Sequence, residues 1–241
     1  MHGGYPSLQH NAIERQIDDW SESYLSTLLQ RDVQDLARIE GLSVLSNLLK
    51  LLATRLTGIM NSAELSRTSG LTTSTLNRYL VLLEALFLIY RQPAWSGSLG
   101  KRLVKAPKNY FVDTAIASYL LAVNEQRLKN DPYLVGALLE NFIAHELGKQ
   151  LSWNAQRISC YYFRTQAGAE VDFVLENKLG QIVGIEVKAS QSVSRDSFKG
   201  LKALKETVGD KFLRGIVLYT GGLVLPFGDD MQAVPVSFLW Q

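Results

Sequence analysis

The stretch GAEVDFVLENKLGQIVGIEVKAS, residues 167–189, sets Asp172, Glu186 and Lys188 into two strand-like runs otherwise rich in Val, Ile, Phe and Leu. Side chains alternate across a strand, which puts Glu170, Asp172 and Val174 on one face of the first run. Ile182, Gly184, Glu186 and Lys188 share a face of the second. A hairpin around NKLGQ in which partner numbers sum to 358 sets Asp172 opposite Glu186. Carboxylates facing each other across two strands, with Cβ atoms about 4.5–5.5 Å apart, repel unless a cation lies between them. Mg2+ or Mn2+ suits such a pair, because Mg2+ takes oxygen ligands, keeps several waters and commonly uses one or two carboxylates plus substrate phosphate. Lys188 then stands where an ammonium can hold an attacking water and steady charge on a phosphoryl transition state. The competing reading makes the same three residues a buried ion-pair network that merely orients the sheet.

Other residues extend this chemistry. On the run LLENFIAHEL, Glu140 shares a helical stripe with Ala144, Leu147 and Leu151, so its carboxyl must be exposed, paired or bound to metal. Arg164 and Gln191 are placed to meet phosphate. Lys199, Lys202 and Lys205 recur on adjacent turns and either follow a nucleic-acid backbone or form a solvated face. Tyr161, Tyr162 and Phe163 read as core residues. No metal site is argued from His2, His10 or His145.

The elements that must position these groups follow from periodicity. Residues 131–241 read as helix, three strands, helix and two further strands, an α/β module with a mixed sheet. Residues 1–60 read as two packing helices, polar-amphipathic around Ile13, Ile17 and Trp20 and then Leu-rich from Gly41. In residues 61–130, Asn61 and Glu64 form a capping box, Gly70 breaks the helix, and Thr72 or Thr73 caps a second helix. There Leu76, Leu80 and Leu83 face inward while Ser74, Thr75, Asn77, Arg78 and Val81 face away. A strand at Phe87–Arg91, a loop at PAWSGSLG and the basic return KRLVKAPKNYFV complete the pattern of a winged helix-turn-helix. A short helix at Ala115–Leu121 and a polar loop to Asp131-Pro132 close the module. Such a unit can set Ser74, Asn77 and Arg78 against bases, and Lys101, Arg102 and Lys105 against phosphates. Similar helix pairs also serve as protein-docking modules.

Composition bounds the reading. A hydrophobic fraction of 46% in 241 residues is enough for real cores. A net charge of +2 makes no case for nucleic acid by itself, so distribution decides, and Ala85–Val112 holds Arg91, Lys101, Arg102, Lys105 and Lys108 with no acid. The single cysteine, Cys160, suits a reducing cytoplasm and reads as an inert buried thiol. The longest apolar runs, such as VLLEALFLIY, are too short for a bilayer, and no leader opens the chain.

The arrangement of helix-borne Glu140, Asp172 on one strand and Glu186-Val187-Lys188 on the next resembles the PD-(D/E)xK nuclease superfamily. Val171 stands where that motif has proline, a residue without chemistry of its own. GGYP, LNRYLVLLEALFLIYRQPAW…GKRLVKAPKNYFVDTAIA, LLENFIAHEL and YYFRTQAGAEVDFVLE…GIEVKAS together resemble the C-terminal part of a family of prokaryotic AAA-type ATPases. The resemblance implies an ATPase followed by a winged helix and a nuclease-like domain, with DNA as a partner. No G-x-x-x-x-G-K-[ST] occurs, and GSLGKR has neither the spacing nor the hydroxyl for a phosphate cradle. The chain is therefore expected not to hydrolyse ATP, and to be a fragment, a shortened relative, or the partner of an ATPase acting in trans. Two functions follow: a metal-dependent, restriction-endonuclease-like protein that binds DNA, or a non-catalytic DNA-binding or docking module.

Overall fold

A computed structural model describes residues 3–8, 14–37 and 42–240; the expectations resting on His2, His10, Ile13 and Gly41 lie outside them. The architecture is α/β, with helices, a six-stranded mixed sheet and a separate two-stranded sheet. Its described residues pack as two compact units, one from Met1–Arg91 and Asn109–Asn141, the other from Gln92–Lys108 and Phe142–Gln241. These units do not follow the composition boundaries at residues 60 and 130, since the segment 92–108 packs with the sheet.

The first unit is built from leucine stripes. Helices α1 (Glu14–Ala37) and α2 (Leu42–Ala53) bury Leu25 and Leu29 with Leu45, Leu48, Leu49 and Leu52, the last four at helical spacing. Helix α3 (Ser62–Ser69) starts at Asn61, whose side chain accepts from the Glu64 N–H at 3.1 Å. Only half of the expected box forms, because the Glu64 carboxylate turns to Arg55 at 2.7 Å. Gly70 ends α3 at φ +71, a left-handed conformation that glycine adopts without a Cβ penalty. Thr72 caps α4 (Thr73–Ala85), accepting from the Thr75 N–H at 3.2 Å. Leu76, Leu80 and Leu83 are buried, whereas Ser74, Asn77, Arg78 and Val81 are exposed.

Strands β1 (Ile89–Gln92) and β2 (Lys108–Phe111) pair, but they are not joined by a plain loop: α5 (Leu99–Val104) forms between them. Helix α6 (Thr114–Leu120) is capped by Asp113, and α7 (Glu125–Asn130) occupies the expected polar loop because Asn124 caps it, accepting from Arg127 N–H at 2.8 Å. Helix α8 (Pro132–Trp153) contributes residues to both units.

The second unit holds β3 (Ile158–Arg164), β4 (Glu170–Asn177), β5 (Ile182–Lys188), α9 (Lys199–Val208), β6 (Phe212–Tyr219), β7 (Leu225–Pro226) and β8 (Met231–Pro235). The sheet order is β3-β4-β5-β6-β8-β7, parallel at β5–β6 and β6–β8 and antiparallel elsewhere. The short β7 gave no sequence signal, and the last strand stops at Pro235, before the tight turn Val236–Trp240. Leu201 and Leu204 of α9 pack on Val171, Val174, Ile182 and Val217. Two glycines let α9 come this close. A Cβ at Gly200 would lie 1.8 Å from the Glu170 carbonyl oxygen, and one at Gly184 would lie 2.7 Å from Leu201 Cδ2. Segment 92–108 lies along β3, where the Trp95 N–H donates to Tyr162 O at 2.6 Å and covers part of an otherwise open sheet edge. Arg102 fastens it, pairing through both terminal nitrogens with Glu176 while its guanidinium lies 5.4 Å from the Trp95 ring centre and 4.8 Å from that of Tyr161.

Candidate functional site

The hairpin register is the expected one. Phe173 pairs with Ile185, Val174 with Gly184 and Glu176 with Ile182, all summing to 358. Its turn is set by Asn177, whose side-chain oxygen accepts from the Leu179 and Gln181 N–H groups, both at 3.0 Å.

Regular alternation does not survive at the site. Tyr161 pairs with Val174 but Phe163 with Val171, so Asp172 and Phe173 together oppose Tyr162 in a β-bulge. As a result Val171 and Val174 both reach the α9 core, correcting the expectation that Glu170, Asp172 and Val174 share one face. The bulge also ends the β4–β5 ladder, and Asp172 Oδ2 takes the next donor itself, accepting from the Val187 N–H at 2.9 Å. Gln92 Nε2 donates to the Asp172 carbonyl at 2.9 Å and fixes the backbone there.

Around this point the structure gathers more charge than the sequence reading assigned. Lys108 Nζ lies 2.5 Å from Glu170 Oε1 and 3.0 Å from Asp172 Oδ1, with its side chain only 3% exposed. Arg164 meets the other Glu170 oxygen at 3.5 Å. Lys188 Nζ sits 2.8 Å from Glu186 Oε1 and stays 41% exposed, so its ammonium reaches solvent. Glu186 Oε2 is buried without a hydrogen-bond partner. Burial, then the charge of Asp172, push the Glu186 carboxyl up to about 8, opposed by Lys188 and Lys108.

The donors fit a hard divalent cation in type: two carboxylates, one with an orphaned buried oxygen. Among the described residues no group of three or more His, Cys, Asp or Glu is arranged to hold a metal. A cation here would therefore rest on Asp172 and Glu186 and complete its shell with water and phosphate.

The remaining candidates fall on several elements. Glu140 belongs to the first unit, where its Oε1 accepts from the Tyr110 hydroxyl at 2.7 Å. Ser74, Asn77 and Arg78 lie on the open face of α4, and Lys101 and Lys105 are exposed at α5. Arg102 is committed to Glu176. Gln191 is exposed, and Lys199 and Lys205 pair with Asp196 and Asp230. Burial pushes the Cys160 thiol up to about 12, which suits an inert group. Sequence reasoning assigned no role to Lys108, Gln92 or Glu170. The available signal was Lys108 at the head of Lys-Asn-Tyr-Phe, a strand buried along its whole length, where a cation requires an acidic partner.

Residues 1–127 match the family described as a domain of unknown function, DUF8612. The chain belongs to that family. In this DUF8612 protein, residues 135–239 also match a second domain of unknown function, DUF4143, and that span contains Asp172, Glu186 and Lys188. It is similar to the uncharacterized proteins Mb2031c of Mycobacterium bovis and Rv2008c of Mycobacterium tuberculosis, each 29% identical over 240 residues. Those alignments cover 98% of this chain and 52% of each relative, so the chain spans about half the length of the curated relatives it matches. A solved assembly of Thermococcus gammatolerans McrB AAA+ hexamers with bound McrC aligns over 77% of this chain and 46% of that one, at 12% identity and a TM-score of 0.31. A likeness at that score assigns neither fold nor function. Among the described residues no helix is long and apolar enough to cross a membrane.

Proposed function

We propose that this chain binds DNA and handles phosphodiesters at a restriction-endonuclease-like site in which Asp172 and Glu186 hold Mg2+ or Mn2+. One observation supports this above the others: a buried, unpartnered Glu186 oxygen beside the charge of Asp172, at the point where a bulge interrupts the sheet. A bound Mg2+ would supply Lewis-acid polarisation of a phosphoryl oxygen and a more acidic water. The chain's own residues do the rest. The Val187 N–H and Gln92 hold Asp172 in place, Glu186 offers its free oxygen, and the Lys188 ammonium, reaching solvent, orients water and stabilises developing negative charge. Arg164, half exposed beside Glu170, is placed to meet phosphate.

DNA delivery would fall to the helix pair α3–α4 read as a winged helix, with Ser74, Asn77 and Arg78 toward bases and Lys101 and Lys105 toward phosphates. Arg102 would join them only after leaving Glu176. An ATPase, on the same chain or in trans, is the partner the sequence resemblance implies.

A second reading is favoured by Lys108, which already pairs with Asp172 and Glu170: the platform is then non-catalytic and docks DNA or protein. Incubation with plasmid and linear DNA in Mg2+ or Mn2+, beside Asp172→Ala and Lys188→Ala, separates the two. Metal-dependent cutting lost in both variants supports the nuclease. DNA binding without cutting, weakened by Arg78→Ala and falling steeply with salt, supports the platform.

A further inference from the structure

Lys108 has no place in the nuclease chemistry just described, yet it is the most deeply buried charge of the site, its side chain 3% exposed against 10% for Asp172 and 14% for Glu186. A buried ammonium is tolerated only with charged partners, and Glu170 and Asp172 are such partners of Lys108. It also lies 5.9 Å from the centre of the Tyr162 ring, the residue opposite the bulge. Both Asp172 oxygens are thereby engaged, Oδ1 by Lys108 and Oδ2 by the Val187 N–H. The Glu186 oxygen beside them is left bare.

A divalent cation approaching Asp172 meets this arrangement unequally. The Val187 N–H carries only a partial charge and can share a carboxylate with a metal. The ammonium carries a full charge of the same sign as the metal, inside a region where water screens poorly. We propose that Lys108 is a built-in counter-ion that competes with a divalent cation for Asp172, so that metal enters only as the ammonium leaves Oδ1. This rests on the proposed cation site at Asp172 and Glu186 and specifies how that site is held closed. Losing Oδ1 leaves the ammonium facing Glu170 without Asp172, so Lys108 is held less tightly once metal is bound.

Substituting Lys108→Met in the full chain, which keeps the side-chain length and removes the charge, tests the competition through Mn2+ binding measured by electron paramagnetic resonance. The variant is expected to bind Mn2+ at least tenfold more tightly than the wild type, with the gain abolished in Lys108→Met/Asp172→Asn. Equal or weaker binding by the variant, with measurable wild-type binding, overturns the competition and leaves the cation site standing. Binding by neither protein at millimolar Mn2+ overturns both. A gain that survives Asp172→Asn overturns the assignment to Asp172.

A second measurement does not require the variant to fold. Amine acylation of the wild type by an N-hydroxysuccinimide ester, read by peptide mass spectrometry, should label Lys108 poorly in chelator and several-fold more in Mg2+. The 74% exposed Lys199 serves as the constant reference. Lys108 labelling that Mg2+ leaves unchanged overturns the displacement.

Discussion

In the helical unit, the Arg55–Glu64 pair beside α3 has side chains 28% and 49% exposed, and the core is mostly leucine. In the sheet unit, the Lys108–Asp172 pair is 3% and 10% exposed, and an adjacent carboxylate oxygen has no partner. A fold does not need the second arrangement. Replacing a buried ion cluster by apolar side chains of similar volume is often neutral or stabilising, and the charge retained at this bulge is what the proposed ligand site would use. The helical unit, by contrast, carries Ser74, Asn77 and Arg78 on an open helix face, where polar groups cost the fold little.

The largest effect that would sharpen this contrast comes from glycine. Gly200→Val should destabilise the sheet unit by roughly 4 kcal/mol or more in denaturant unfolding, because its Cβ has no space against the Glu170 carbonyl. Gly70→Ala, open around its Cβ but at φ +71, should cost only about 1 kcal/mol. Next comes core truncation in the helical unit: Leu76→Ala or Leu52→Ala should cost about 2–5 kcal/mol, with the proposed Mn2+ binding unchanged.

The buried acid gives a pH signature. The Glu186 carboxyl is raised to about 8, above its ordinary value of 4.5, so the folded protein binds the extra proton between them. Its contribution to stability is full below about 4.5 and is lost as pH rises through about 8. The wild type should therefore lose on the order of a few kcal/mol from acid to mildly basic pH relative to Glu186→Gln, measured by urea unfolding across that range. A parallel pH dependence in the two proteins would remove the electrostatic contrast.

Surface changes come last. Thr72→Ala should cost about 1 kcal/mol through loss of the α4 cap. Arg78→Ala should change stability by less than about 0.5 kcal/mol. It should nevertheless weaken DNA binding, and if the residue meets phosphate it should lower the salt dependence by about one charge.

Much of the helical unit was legible because its signals are local. Asn61, Gly70 and Thr72 mark helix ends, and Leu76, Leu80 and Leu83 repeat at helical spacing. The β4–β5 register was legible because the turn and the apolar alternation agree on it. The bulge was not, since it depends on how β3 counts against β4, and period-two reading assumes one residue per rung. Helix α5 was hidden in a segment rich in Gly and Ser. Lys108 was read with the basic run around it, and its partners lie 62 and 64 residues away, at Glu170 and Asp172.

The proposed cation site depends on Glu186, which pairs one oxygen with Lys188 and keeps the other buried without a partner beside Asp172. Carbon-13 NMR titration of the Glu186 carboxyl carbon, assigned by its loss in Glu186→Gln, reads this directly. The midpoint should lie near 8 without metal and fall when Mg2+ is added. A midpoint in the ordinary carboxylate range that Mg2+ does not move would contradict the account.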